Sequence, residues 1–192
     1  FWETVNAAGV LQVPMLISIW DDDYGISVPN KLQTTKGNIS EVLAGFADTE
    51  EKIGFKIYTV PGYDYEALYH TYHEATSTCR KLHRPTIIHV THMTQPQGHS
   101  TSGSHERYKS KDRLAYENSI DCITSFRKWI ESKNLATSKD LDLLESQCIE
   151  EAEKIKEEAW HQFQAPIHLE KEEALDVLTK INEEIKSKEI EK

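Results

Sequence analysis

The chain has 192 residues, 38% of them hydrophobic and 9% aromatic, with a formal net charge of −10. That length can bury a substantial core. No apolar run approaches the roughly 20 residues a membrane span needs, and the acidic balance argues against a nucleic-acid partner, which favours a basic stripe. Cys79, Cys122 and Cys148 are odd in number, widely spaced and free of CxxC, which argues against a disulfide framework or zinc ribbon and fits a reducing cytoplasm.

The opening FWETVNAAGV carries neither an initiating Met nor a basic signal-peptide start, so it reads as a piece whose start lies upstream. Trp2, Val5, Ala8 and Leu11 recur at helical spacing and predict a helix over 2–12, ended by Pro14. VPMLISIW follows as a nearly continuous apolar run, the pattern of a strand covered on both faces in a parallel sheet. Asp21-Asp22-Asp23-Tyr24-Gly25 comes next. Three adjacent carboxylates resist burial and must be solvated or neutralised.

GFKIYTV (54–60), closed by Pro61-Gly62, and RPTIIHV (84–90) repeat the strand pattern. Between them DYEALYHTYHEATSTCRKL carries a helical stripe (Tyr65, Leu68, Tyr72, Ala75, Cys79, Leu82) behind an Asp64 N-cap. The succession reads as strand, helix, strand, helix, strand, an α/β fold with a parallel sheet. A long polar segment, THMTQPQGHSTSGSHERYKSKD, comes next; loops of this length are functional or disordered. Residues 112–133 and 138–163 read as helices, the second with Thr137 and Asp140 spaced as a capping box and Leu141, Leu144, Cys148, Ala152, Ile155, Ala159 and Phe163 on one face. Pro166 is expected to interrupt it before a last charged helix with a seam of Leu175, Leu178, Ile181 and Ile185. Residues 136–192 hold 16 acids and 8 lysines, a net of −8, against −2 for 1–135. The shift proposes a domain over 1–135, incomplete at its N-terminus, and a helical extension or linker over 136–192. The acidic helices read as solvated faces with one buried seam, or as partner-binding helices.

Ligands of open parallel sheets gather at the C-terminal ends of the strands. Asp21–Tyr24, Pro61–Asp64 and Gly98-His99-Ser100 fall there. Carboxylate oxygens suit magnesium, which joins one or two of them to phosphate oxygens; a solvated acidic turn is the alternative. DDDYG lacks the alternating spacing of an EF-hand. His70-x-x-His73 and His89-x-x-His92 suggest zinc only weakly, because neither finds a third ligand. Ser100, Ser102 and Ser104 lack a nucleophile-elbow motif. His99, in a polar loop beside Gly98, is either a plain exposed histidine or a functional one.

Taken in order, Asn6-Ala7-Ala8, Pro14-Met15-Leu16-Ile17, Asp21-Asp22-Asp23-Tyr24-Gly25-Ile26-Ser27, Val60-Pro61-Gly62-Tyr63-Asp64, Thr86-Ile87-Ile88, Gly98-His99-Ser100-Thr101-Ser102 and Arg107-Tyr108 resemble a known pattern. It is that of the α-type half of the thiamine-diphosphate-dependent first component of 2-oxo-acid dehydrogenase complexes, over roughly residues 1–160. The resemblance implies thiamine diphosphate and magnesium as cofactors. It gives Asp22 the place of the family's metal-binding Asn and makes the Tyr24 backbone carbonyl a second metal ligand. Tyr24, Gly25, Ile26, His99 and Ser100 become cofactor-binding, and His99 becomes the catalytic residue that assists proton transfer or reductive acylation. Ser100 matches a position phosphorylated in some mitochondrial relatives.

By the same resemblance, the first metal ligand, an acidic residue before Gly, belongs upstream of Phe1. The carboxylate that activates the cofactor belongs to a β-type half, either a separate subunit or fused downstream. The implied activity is oxidative decarboxylation of a 2-oxo acid with acyl transfer to a lipoyl-bearing acyltransferase component, with little turnover by this chain alone. His-Ser-Thr-Ser resembles branched-chain members more than pyruvate members, making 2-oxoisovalerate the first expectation. The implied assembly is α2β2-like or a homodimer of a fused chain, cytoplasmic, with no nucleic acid and no membrane. A transketolase-like thiamine enzyme and a non-catalytic assembly module are the alternatives.

Overall fold

The computed structural model describes residues 1–95, 97–99 and 104–190, with side chains to 186. The chain divides into two compact units, Phe1–Leu135 and Ala136–Lys192.

In the first unit, helix α1 (Trp2–Leu11) stops at Gln12, whose backbone is left-handed (φ 50°). The helix therefore ends before Pro14 is reached. Strands β1 (Leu16–Trp20), β4 (Lys56–Pro61) and β5 (Thr86–Thr91) form a parallel sheet in the order β1-β5-β4. Register pairs Ile17 and Ile57 with Ile87, and Trp20 and Val60 with Val90. Helix α3 (Tyr65–Leu82) makes the crossover from β4 to β5. Its N-cap is Asp64, which accepts from the Ala67 N–H at 2.9 Å, as expected.

The two-residue period of the strands sorts the core into two layers. On one face Val5, Ala8, Leu43, Phe55 and Ile87 are buried together with Ile17, Ile19 and Ile57 packed against them. On the other, Val60, Ala75, Ile88 and Val90 meet Leu16, Leu68 and Tyr72 of the sheet edge and α3. β5, central in this sheet, is buried along nearly its whole length. β1 is not covered on both faces as its apolar run suggested. Ser18 is exposed and Trp20 is 71% exposed, and among the described residues β1 has only one neighbouring strand.

The passage from β1 to β4 also differs from the expected strand–helix–strand rhythm. It holds a two-residue hairpin, β2 (Tyr24–Gly25) with β3 (Val28–Pro29), then 3-10 turns and one short helix, α2 (Ile39–Leu43). Gly25, Pro29 and Gly37 punctuate this stretch, so no long helical period can build. The expected helix over 112–133 is two helices, α4 (Lys111–Ser119) and α5 (Cys122–Ser132). Asp121 breaks it by capping α5, its carboxylate accepting from the Thr124 N–H at 2.8 Å.

The second unit is one helix, α6 (Ser138–Ile190), with Pro166 inside it. The capping box forms: the Asp140 N–H donates to Thr137 Oγ1 (3.3 Å), and the Thr137 N–H donates to Asp140 Oδ2 (3.0 Å). Pro166 was expected to interrupt the helix and does not. It forfeits one intrahelical bond, a loss of roughly 3 kcal/mol, while Glu, Lys, Ala and Leu on either side favour continuation. The apolar face expected to be a buried seam is exposed in this unit: Leu144, Ile155, Phe163 and Leu178 all stand more than half exposed. One helix offers itself no second layer to bury against. No helix among the described residues is long and apolar enough to cross a membrane.

Candidate functional site

The site grows from the end of β1. The sheet ladder runs one residue past the strand, since the Asp21 N–H donates to the Val90 carbonyl (2.8 Å) and the Met93 N–H to the Asp21 carbonyl (3.1 Å). β4 ends beside it, the Gly62 N–H donating to the Thr91 carbonyl at 2.7 Å. A Cβ on Gly62 would lie 2.6 Å from Met93 Sδ but 3.4 Å from the Thr91 carbonyl oxygen, so a larger residue there would have to displace the Met93 side chain.

Here the chain must turn at once. Asp23 and Ile26 both take positive φ, 67° and 61°. For a β-branched residue such as Ile26 this costs on the order of 1–2 kcal/mol. Two Asx-type bonds build the turn: the Asp23 N–H donates to Asp21 Oδ1 (2.8 Å) and the Tyr24 N–H to Asp22 Oδ1 (3.1 Å). The Asn30 N–H then donates to the Asp23 carbonyl (2.8 Å), and Gly25 faces Val28 across the turn. Alternation in an antiparallel pair leaves Tyr24 opposite Pro29 in the non-hydrogen-bonded position, so the Tyr24 amide and carbonyl point away from β3.

The three aspartates are partnered unequally. Asp21 Oδ2 lies 2.9 Å from Nε2 of His89, whose side chain is 1% exposed and whose Nδ1 lies 2.7 Å from Ser40 Oγ. The hydrogen bond from His89 holds the Asp21 carboxyl below its ordinary range against the opposing effect of burial. Asp23 is held by Arg113 Nη1 on Oδ2 (2.8 Å) and by Asn30 Nδ2 on Oδ1 (3.0 Å). Asp22 has no such partner: among the described residues its side chain accepts only the Tyr24 N–H.

Helix α4 supplies the clamp. Arg113 and Glu117, one turn apart, face the hairpin, and Ser110 caps the helix by accepting from the Arg113 N–H (3.2 Å). Arg113 donates through Nε to Glu117 Oε1 (2.6 Å), through Nη1 to Asp23 and through Nη2 to the Asp22 carbonyl (3.2 Å). Glu117 Oε2 accepts from Lys109 Nζ at 2.8 Å, the two side chains being 6% and 2% exposed. Lys109 and Arg113 also stand 4.7 and 5.3 Å from the centroid of the Tyr24 ring, within cation–π range. Burial disfavours the Glu117 charge, but hydrogen bonds from Lys109 and Arg113 outweigh it and hold the carboxyl below its usual range. Tyr108 tilts against Tyr24, with centroids 5.8 Å apart, and its phenol is pushed up by burial and then by the Asp22 charge. His105 lies edge-on to Tyr108. It is buried, and its Nε2 has no partner among the described residues.

Of the residues singled out from sequence, Asp22, Tyr24, Gly25 and Ile26 come together in this hairpin. His99 lies exposed beyond β5, its ring making no hydrogen bond to another described residue. Ser100 lies outside the described residues. His89 and His92 are separate, His92 Nδ1 meeting the Tyr116 hydroxyl at 2.9 Å. Sequence reading named His89 only as a weak zinc candidate and not as the partner of Asp21, and it missed Asn30, Lys109, Arg113 and Glu117. The Arg113–Glu117 spacing of four is a helix-pair signal, but nothing in the chain marks Asp23, 90 residues away, as its partner.

Residues 1–168 match the model of the dehydrogenase E1 component family. The chain belongs to that family. Within it the likeness is to the α-type. The chain is 31% identical over 137 residues to the pyruvate dehydrogenase E1 component subunit alpha of Staphylococcus aureus (strain N315) and to that of Staphylococcus epidermidis (strain ATCC 12228 / FDA PCI 1200). Each alignment covers 70% of this chain and 35% of the relative, so this E1-type chain spans about a third of the length of the curated relatives it matches.

The family implies thiamine diphosphate, and the donor set can be tested against its usual companion, a divalent cation. Magnesium prefers six oxygen ligands and takes few from protein when phosphates and water supply the rest. The hairpin offers an outward carbonyl at Tyr24 and, at Asp22, a carboxylate that among the described residues accepts only the Tyr24 N–H. Among the described residues no cluster of three or more His, Cys, Asp or Glu could hold a metal by itself. Two oxygens from this chain completed by diphosphate are a fitting set; a metal site without a diphosphate is not.

Proposed function

We propose that this chain holds the diphosphate end of thiamine diphosphate through magnesium, in an enzyme that oxidatively decarboxylates a 2-oxo acid and passes the acyl group to a lipoyl-bearing acyltransferase component. The observation that carries the reading is the unequal partnering of the aspartates: Asp21 is held by His89 and Asp23 by Arg113, while among the described residues the Asp22 side chain accepts only the Tyr24 N–H. Membership of the E1 component family supports it.

Asp22 and the Tyr24 carbonyl would bind the cation, with Gly25 and Ile26 carrying the backbone past the diphosphate. When bound, thiamine diphosphate supplies the nucleophilic carbon for decarboxylation; protein groups bind, orient and protonate. His99, exposed beyond β5, would contact the cofactor and hold or move a proton during acyl transfer, and Ser100 lies beside it in sequence. The pyrimidine-activating carboxylate comes from a β-type half, in an α2β2-like assembly or a homodimer of a fused chain. The setting is cytoplasmic. The matched relatives are named for pyruvate, whereas His99-Ser100-Thr101-Ser102 favours 2-oxoisovalerate, so both acids belong in the assay.

Calorimetry on the protein assembled with its β-type half tests the reading. Thiamine diphosphate binding should require magnesium and should be lost in Asp22→Ala while circular dichroism shows the variant still folded. Absence of magnesium-dependent binding in the wild type would overturn it in favour of a non-catalytic assembly module.

A further inference from the structure

We infer that Arg113 is a positioning residue of the metal turn: by engaging Asp23 and the Asp22 carbonyl together, it sets the Asp22 carboxylate toward the cation and keeps Asp23 from competing for it. The inference rests on the magnesium reading above.

Three observations carry it. First, the guanidinium is shared in a fixed pattern: Nη1 to Asp23 Oδ2, Nη2 to the Asp22 carbonyl and Nε to Glu117 Oε1, at 2.8, 3.2 and 2.6 Å. A planar fork can serve three acceptors in one orientation, which a lysine ammonium on a flexible stem does not reproduce. Second, the fork is itself anchored. Glu117 is buried and tied by its other oxygen to buried Lys109, so Arg113 is held through Nε by a group that is itself anchored. Third, the turn has strain to resist. Asp23 and Ile26 hold positive φ, and such conformations persist only where their surroundings over-determine them. The Arg113 bond to the carbonyl of Asp22 acts directly on the peptide that joins Asp22 to Asp23.

The sign of the effect separates positioning from simple charge. Removing a nearby cation would, by Coulomb's law alone, tighten magnesium binding. Loss of positioning loosens it, by about tenfold at the low end for outer ligands that orient a metal-binding group.

The experiment measures magnesium affinity by calorimetry at saturating thiamine diphosphate in the assembled protein. Wild type, Arg113→Met, Arg113→Lys and the pair Asp23→Asn/Arg113→Met are compared, with circular dichroism to confirm folding. Arg113→Met should bind magnesium about tenfold more weakly, as outer-shell losses do. Arg113→Lys keeps the charge and a Glu117 partner and should show a similar loss, so the test survives if the Met variant fails to fold. Asp23→Asn in the Met background removes the competing carboxylate but does not restore the bond to the Asp22 carbonyl, so it should recover only part of the affinity. Unchanged or tighter binding in both single variants would overturn the inference alone, and no magnesium-dependent binding in the wild type would overturn the functional reading with it.

Discussion

Glu117→Gln tests the electrostatics on which the hairpin rests. In the native chain one carboxylate answers two cations, Lys109 at 2.8 Å and Arg113 at 2.6 Å, with the Lys109 side chain 2% exposed. Glutamine keeps the shape but loses the charge. Its oxygen can still accept from one cation, while its NH2 group is turned toward the other. Arg113 retains Asp23 and some water, but Lys109 is left buried without a counter-ion. Breaking a buried pair in this way costs about 3–5 kcal/mol. For a unit of this size 1 kcal/mol moves the melting temperature by roughly 3–5 °C, so a fall of about 10–20 °C is expected by the same scaling. Urea unfolding followed by tryptophan fluorescence gives the free energy directly. Replacing both partners, Lys109→Met with Glu117→Leu, should recover most of the loss, because apolar residues of similar volume need no counter-ion. The pH dependence gives a second check. The Glu117 carboxyl is held below its ordinary 4.5, so its contribution is fully present above that value and is lost as pH falls through the folded-state value. The variant should lack this part of the acid limb. A loss under about 1 kcal/mol, against the 3–5 expected for a buried pair, with an unaltered acid limb, would refute the reasoning.

Other consequences are simpler to state. His89→Leu should lower stability by roughly 1–3 kcal/mol, because Asp21 and Ser40 both lose their partner on a buried ring; equilibrium unfolding measures it. His99→Ala should leave the melting temperature within about 1 °C, as surface changes do, while cutting transfer to a lipoyl domain severely; unchanged turnover would remove His99 from the site. Gly54→Ala should destabilise by about 1–3 kcal/mol through overpacking, since its Cβ would lie 2.3 Å from the Phe46 carbonyl oxygen. Gly45→Ala, which meets nothing within 4 Å, should be neutral within about 0.5 kcal/mol, and thermal melts of the pair give the contrast.

The parallel sheet was legible because burial writes itself directly into residue type. Ile87, Ile88 and Val90 must be apolar in a central strand, and the Asp64 cap, the α3 stripe and the Thr137–Asp140 box are local patterns with local causes. The misreadings also have local causes. Apolar residues at β1 gave no sign that the strand has only one neighbour. A helical period running through 112–133 concealed a cap at Asp121, because an aspartate inside a periodic stretch reads as surface until its carboxylate is seen on the Thr124 N–H. At Pro166 the propensity of the flanking residues outweighed a breaker that usually wins.

The site divides along the same line. Its proposed donors, Asp22 and the Tyr24 carbonyl, could be picked out because they are near neighbours in sequence, and three carboxylates in a row state an electrostatic problem by themselves. The solution is long-range: His89 lies 68 residues from Asp21, and Arg113 lies 90 from Asp23. Neither looks exceptional where it stands, one a polar residue in an apolar strand, the other one base in a charged helix. Yet they decide what the triple aspartate can do. Were all three carboxylates neutralised, the turn would hold its shape and attract no cation. Were none neutralised, mutual repulsion would open a turn already strained at Asp23 and Ile26. Pairing the outer two while the middle one, among the described residues, accepts only the Tyr24 N–H satisfies both demands, and the hairpin register turns the Tyr24 carbonyl outward.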